Sequence, residues 1–221
     1  CAHAHGSEWN GRRVGAIGYM GSFSFQGSKN LNSGEGGMVL TGDAGLATAM
    51  RRFRNHGIAT DYRQREAQGE WYYEMTALGW NYRITDFQCA LGISQLRKLP
   101  AWLERRRALA ARYDAAFAGS EVRPLAVAPG VRHAYHLYVV RVPQRESVFR
   151  ALRRQGIGVN VHYVPVHLHP FYRERFGTGP GLCPVAEAAY GEILSLPMFP
   201  GLSDADAEHV MAATLRAVAI G

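Results

Sequence analysis

A chain of 221 residues with 47% hydrophobic and 19% charged side chains has the balance of one large or two small globular domains and excludes a disordered tail. No stretch approaches the ~18 consecutive apolar residues of a membrane span, and three scattered cysteines, Cys1, Cys89 and Cys183, argue against a disulfide framework or a zinc site and fit a reduced, cytoplasmic setting. The net charge of +7 comes from arginines spread along helical stretches such as "LERRRALAARY", with no basic stripe interleaved with aromatics, which sets nucleic-acid binding aside.

In chain order, "GSFSFQ" alternates Phe with small or polar residues and "GGMVLTGD" is a short apolar run after glycines; both read as strands. Asp43 is placed to cap a helix from Ala44 to about Asn55. Residues 57–80, with "TDYRQREAQGEWYYEM", read as a long surface loop. Thr85 and Gln88 form a capping-box pattern for a helix to about Lys98. A second helix is expected to start at Pro100, with Leu103, Ala110, Tyr113 and Phe117 on one face. Beyond Gly130, "HAYHLYVVRV" predicts a strand, "SVFRALRRQG" a helix ended by Gly156, "IGVNVHYVPV" a strand, "VAEAAYGEILSL" a helix, and "SDADAEHVMAATLRAV" a helix capped by Ser203 or Asp204. This alternation predicts a small α/β domain over 120–221, following a first domain over 1–119.

One residue stands out in the first strand pair. Lys29 is the only charged residue between Val14 and Gly34, and one of only two lysines, with Lys98. A lysine amine is a poor nucleophile while protonated, and removal from water or nearby positive charge lowers its ordinary pKa of ~10.4. Lys29 lies among Phe, Ser and Gly with no carboxylate before Glu35, a setting for Schiff-base chemistry. Ser24 and Ser28 offer hydroxyls to a phosphate. The bland alternative is a surface lysine beside a glycine-rich turn. A Walker A loop is excluded because no GK[ST] follows the required spacing.

The stretch "GSFSFQGSKNLNSGEGGMVLTGD" with "FRNHG" resembles the DegT/StrS-type sugar aminotransferases, which use pyridoxal phosphate on the fold-type I α/β scaffold. The resemblance extends over essentially the whole chain through "LGWNYRITDFQCALGISQLRKL", "HAYHLYVVRV", "GIGVNVHYVPVHLHPFYRERFG" and "SLPMFPGLSDADAEHV". It implies that Lys29 forms the Schiff base with pyridoxal 5'-phosphate and then shuttles the substrate proton. It also implies that Ser24 binds the cofactor phosphate, that His3 lies close to the ring, and that Asn81 reaches the phosphate in a neighbouring subunit. The last role implies a homodimer with shared active sites. The structural alternatives are a core histidine for His3, an inward strand residue for Ser24 and a capping or turn residue for Asn81.

In the family pattern "CAHAHG" follows "ED", whose aspartate pairs with the pyridinium nitrogen. Here the chain opens at Cys1, so the resemblance covers the C-terminal part of the large domain plus the small domain. The expectation is that this chain alone lacks aminotransferase activity.

"WYYEMTALGWNYRITDFQCALG", "VHYVPVHLHPFYRERFG" and "CPVAEAAYGEILSLPMFPG" are similar to the C-4 aminotransferases of UDP-linked 4-keto-6-deoxy sugars. The resemblance thus implies a nucleotide-linked keto sugar as substrate and glutamate as donor, in amino-sugar biosynthesis. "HYVPVHLHPFY" is the candidate sugar-facing loop, with His162, Tyr163 and His167 as substrate-binding residues; a partly buried structural loop is the alternative. A metal site is disfavoured because His167 and His169, at i and i+2, point oppositely on a strand. Other members of the family act on cyclitols. A non-catalytic relative usually loses the lysine, and a dehydratase of the family carries histidine there, so Lys29 argues against both. A split subunit inactive alone is the remaining alternative.

Overall fold

The structure, a computed structural model, describes residues 1–220. It divides into two compact units, Cys1–Leu99 and the residues from Pro100 onward. The sequence reading puts this division after residue 119.

The centre of the first unit is an antiparallel strand pair, Met20–Ser24 with Gly37–Thr41, in register from Met20 opposite Thr41 to Ser24 opposite Gly37. Both expected strands are therefore present, and they turn around Lys29. Helix α1 (Ala44–Phe53) follows, and the Asp43 carboxylate accepts the Leu46 N–H at 2.8 Å, satisfying an otherwise unpaired first-turn donor.

The stretch expected to be loop contains a helix, α2 (Tyr62–Gln68). Asp61 and Gln64 form a capping box, and Gly69 ends the helix in the left-handed conformation. The segment after it closes against α1 through backbone bonds. Trp80 N–H donates to Phe53 O, His56 N–H to Trp80 O and Tyr82 N–H to Arg54 O. Two glycines make this closure possible: a Cβ on Gly57 would lie 1.6 Å from Ala77 O, and one on Gly79 would lie 2.2 Å from Gly57 N. The unit leaves large apolar side chains exposed, among them Trp71, Leu78 and Phe87.

Helix α3 runs unbroken over Asp86–Phe117 with Pro100 inside it. The expected break at Pro100 does not occur. Proline removes one backbone donor and crowds the preceding turn, but the residues on both sides of it bury apolar side chains, Leu99 and Leu103. At its start the Thr85 N–H and hydroxyl both donate to Gln88 Oε1, which supplies the Gln88 half of the expected capping box.

The second unit holds the apolar core. Leu109, Tyr113 and Phe117 of α3 are fully buried with Val140, Leu152 and Leu194, so the apolar face read from the sequence is the packing face. A three-stranded antiparallel sheet places Tyr138–Arg141 between Arg123–Pro124 and Ile193–Leu196. Helices α4 (Arg145–Arg154), α5 (Pro170–Phe176), α6 (Pro184–Glu192) and α7 (Asp204–Ile220) accompany it.

Two expectations change here. "VAEAAYGEILSL" is a helix only to Glu192. Ile193 then turns extended, and Ile193–Leu196 becomes the strand opposite Tyr138–Arg141. The apolar run has no breaker between Gly191 and Leu196, so its change of period is invisible locally and is imposed by the strand beside it. "IGVNVHYVPV" is not a regular strand: it pairs at a single bridge, Asn160 with Ser195, and then enters a 3-10 turn over Val166–Leu168. The last helix begins as expected, with the Asp206 N–H donating to Ser203 Oγ at 3.0 Å.

Candidate active site

The Met20–Ser24 strand delivers the chain to a tight turn in which Lys29 N–H donates to Gln26 O. Gln26 also binds Ser28 through its side-chain oxygen, which accepts from both the Ser28 N–H and the Ser28 hydroxyl. Beyond the lysine, Asn30, Leu31 and Ser33 are buried, and Ser33 N–H donates to Phe25 O. Lys29 is thus fixed from both sides, while its own side chain stays half-buried.

Its Nζ lies 3.0 Å from Nε2 of His3. No carboxylate takes that place: a lysine neutralised by Asp or Glu would be held as ammonium, whereas an imidazole nitrogen accepts an N–H without adding negative charge. Ser24, the last residue of the strand, is half-buried, and its Oγ accepts the Gln26 N–H at 3.3 Å. The structure therefore gathers His3, Ser24, Ser28 and Lys29 around one turn.

His5 also belongs to this neighbourhood and was not picked out from the sequence. It is 4% exposed, and its ring lies 5.2 Å from Phe23 and 6.0 Å from Phe25, centroid to centroid. Neither ring nitrogen has a hydrogen-bond partner among the described residues. Burial first, with lesser contributions from Lys29 and His3, lowers its pKa from the ordinary 6.5. The Ser24 backbone opposes that shift, but from outside hydrogen-bonding geometry. The available signal was the alternation in "CAHAHG", which puts His3 and His5 two residues apart.

Asn81 is exposed and faces Asn55 across an isolated antiparallel bridge. Next to it Arg83 donates to Asn55 Oδ1 at 2.7 Å, and Trp80 and Tyr82 stack with rings 11° from parallel. Its side chain makes no hydrogen bond to Ser24 or Lys29 among the described residues.

In the second unit the histidine-rich loop separates its members. His162 Nδ1 lies 2.8 Å from Ser195 Oγ, and Tyr163 packs edge-on against the His162 ring at 4.7 Å while staying exposed. His167 is buried, with Nε2 2.8 Å from Glu187 Oε1. Glu187 also accepts from Gly181 N–H and Cys183 N–H, so one carboxylate ties three points of the loop together. The Gly181 N–H first, then His167, lowers the Glu187 pKa from its ordinary value. His162 and His167 thus have different partners, and Glu187, twenty positions from His167, carries no local sequence signal of that pairing.

The model of the DegT/DnrJ/EryC1/StrS aminotransferase family matches residues 1–215. The chain belongs to this family. The fold is accordingly that of the fold-type I, pyridoxal-phosphate-dependent sugar aminotransferases. Among relatives of this family member, the spore coat polysaccharide biosynthesis protein SpsC of Bacillus subtilis is 38% identical over 224 residues, covering 96% of this chain and 57% of SpsC. The structure of Spr1654 from Streptococcus pneumoniae in its PMP-form superposes with a TM-score of 0.92 at 30% identity, covering 100% of this chain and 58% of that one. Helicobacter pylori PseC, an aminotransferase involved in the biosynthesis of pseudoaminic acid, gives a TM-score of 0.90 at 29% identity over 100% of this chain and 59% of its own. This family member therefore spans somewhat under three-fifths of the length of these relatives. No helix among the described residues is long and apolar enough to cross a membrane.

Proposed function

We propose that the full-length protein bearing this sequence transaminates a nucleotide-linked keto sugar, a UDP-4-keto-6-deoxy sugar, with glutamate as donor and with Lys29 as the reactive amine. The observation that carries the reading is Lys29, held on a rigid turn with its Nζ 3.0 Å from an imidazole nitrogen. The donor set fits pyridoxal phosphate: a primary amine for its aldehyde and the Ser24 hydroxyl for its phosphate, with the Ser28 hydroxyl joining it on release from Gln26. Bound there, the cofactor supplies an electron sink for the carbanion formed at the amino-bearing carbon. Lys29 Nζ supplies the nucleophile and then carries the proton to and from that carbon. His3 accepts an N–H of that amine and orients its lone pair.

Similarity to SpsC and PseC supports an amino-sugar product. Within this reading His162 and Tyr163 contact the sugar nucleotide. His167, whose Nε2 is held by Glu187, has its Nδ1 to offer the same ligand. Asn81, exposed and without a hydrogen bond to the lysine turn among the described residues, completes the site of a second subunit in a homodimer with shared active sites.

The test is Lys29→Ala. The variant is expected to lose the visible absorbance of bound pyridoxal phosphate and all amino transfer from glutamate. A borohydride-reducible adduct that persists at this site in the alanine variant would overturn the assignment.

A further inference from the structure

His167 sits in the 3-10 turn Val166–Leu168, and its side chain is 10% exposed. Two contacts fix it. The Thr178 hydroxyl donates to its backbone O at 2.8 Å, and its ring Nε2 lies 2.8 Å from Glu187 Oε1. Glu187 also accepts Gly181 N–H at 2.9 Å on each of its oxygens and Cys183 N–H at 3.2 Å on Oε1. The second ring nitrogen of His167, Nδ1, makes no hydrogen bond among the described residues. It is not sealed either: the fully buried, unpaired side-chain atoms among the described residues belong to His5, Arg52, Arg107 and Arg145.

Besides His167, every partner of the Glu187 side chain among the described residues is a backbone N–H, so a carboxyl hydrogen would have no acceptor there. The group is engaged as a carboxylate, which only accepts. Nε2 must therefore bring the hydrogen to the shared bond. A neutral ring has one hydrogen to place, and placing it on Nε2 leaves a lone pair on Nδ1. An acceptor nitrogen pairs with a hydroxyl and finds no partner in a diphosphate oxygen, which is itself an acceptor. We propose that Glu187 is a positioning residue that holds His167 as the Nε2–H tautomer, so that Nδ1 accepts from a hydroxyl of the sugar nucleotide. The ligand part of this proposal rests on the reading given under Proposed function.

The decisive measurement is the tautomer itself, by nitrogen-15 NMR of the histidine-labelled, full-length holoenzyme at ~pH 9, above the ordinary imidazole pKa of ~6.5. His167→Gln assigns the signals. The expected result is a hydrogen-bearing Nε2 and a bare Nδ1; a hydrogen on Nδ1 overturns the proposal. Glu187→Ala is expected to mix the two tautomers, and a pure Nε2–H ring in that variant overturns the positioning role.

His167→Gln separates the ligand contact from the structural one. Its amide can still donate to Glu187, but nothing replaces Nδ1. It is expected to melt near the parent and to raise the sugar-nucleotide KM roughly two- to tenfold, one lost hydrogen bond to a neutral group. An unchanged KM overturns the hydroxyl contact. Failure of the parent enzyme to aminate any keto sugar nucleotide overturns the reading under Proposed function and the ligand part with it. The parent tautomer, read from the protein alone, still decides the role of Glu187 in that case, and does so even where a variant fails to fold.

Discussion

Lys29 Nζ and His3 Nε2 stand 3.0 Å apart across twenty-six residues of chain. Two segments that are unrelated by local pattern, "CAHAHG" and the turn between two strands, are brought together there. The amine gains a neutral acceptor in place of a carboxylate.

Removing that acceptor is expected to slow amino transfer without unfolding the protein, since His3 is exposed. His3→Ala should lower the single-turnover rate of the glutamate half-reaction by roughly two- to a hundredfold, the range for one hydrogen bond to a neutral or charged group. His3→Gln, whose carbonyl can accept the same N–H, should retain most of the rate. Equal rates for all three proteins would show that the pair is not used.

His162→Ala should raise the sugar-nucleotide KM by roughly three- to a hundredfold, again one lost hydrogen bond, and leave pyridoxal phosphate binding nearly intact. Titration of cofactor and steady-state kinetics with the sugar nucleotide separate the two effects. A parallel loss of both affinities would count against a substrate role.

Glu187 gives a pH-dependent prediction. Its pKa is lowered in the fold from the ordinary 4.5, so the stability it lends is complete above the unfolded pKa and is lost as pH falls through the folded one. Glu187→Gln should therefore melt below the parent at neutral pH. The gap should close as pH falls below the ordinary carboxylate range and through the folded pKa, where the parent carboxylate also becomes neutral. Thermal melts of both proteins across that range check it; a gap independent of pH would contradict the linkage.

Gly57→Ala should destabilise the first unit by about 2 kcal/mol or more, combining a backbone clash with a left-handed φ. The added carbon would lie 1.6 Å from Ala77 O, at φ +72°. Gly69→Ala is the control, with a similar φ of +69° and nothing within 4 Å, and should cost only about 1–2 kcal/mol. Urea unfolding of the two variants separates crowding from backbone strain.

The lysine turn was legible because everything that makes it is local. Alternation in "GSFSFQ", glycines before "MVLTGD" and the Asp43 cap act over a few residues, and the strand pair forms where they indicate. The same holds for the buried face of α3 from Leu103 to Phe117 and for the Ser203 cap of α7. The family was legible for a related reason, since its motifs are short and contiguous.

What the sequence left open depended on distant partners. Ile193–Leu196 continues an apolar helical run, and only Tyr138–Arg141 lying alongside makes it a strand. Pro100 carries the usual marks of a helix start, yet Leu99 and Leu103 are buried on either side of it and α3 continues. His162, His167 and His169 form one cluster in the sequence. Tertiary contacts assign the first to Ser195 and the second to Glu187. Periodicity and capping are set by neighbours a turn away, whereas a buried polar side chain must be satisfied by whatever the fold brings within 3 Å or so. That partner is chosen by the whole chain.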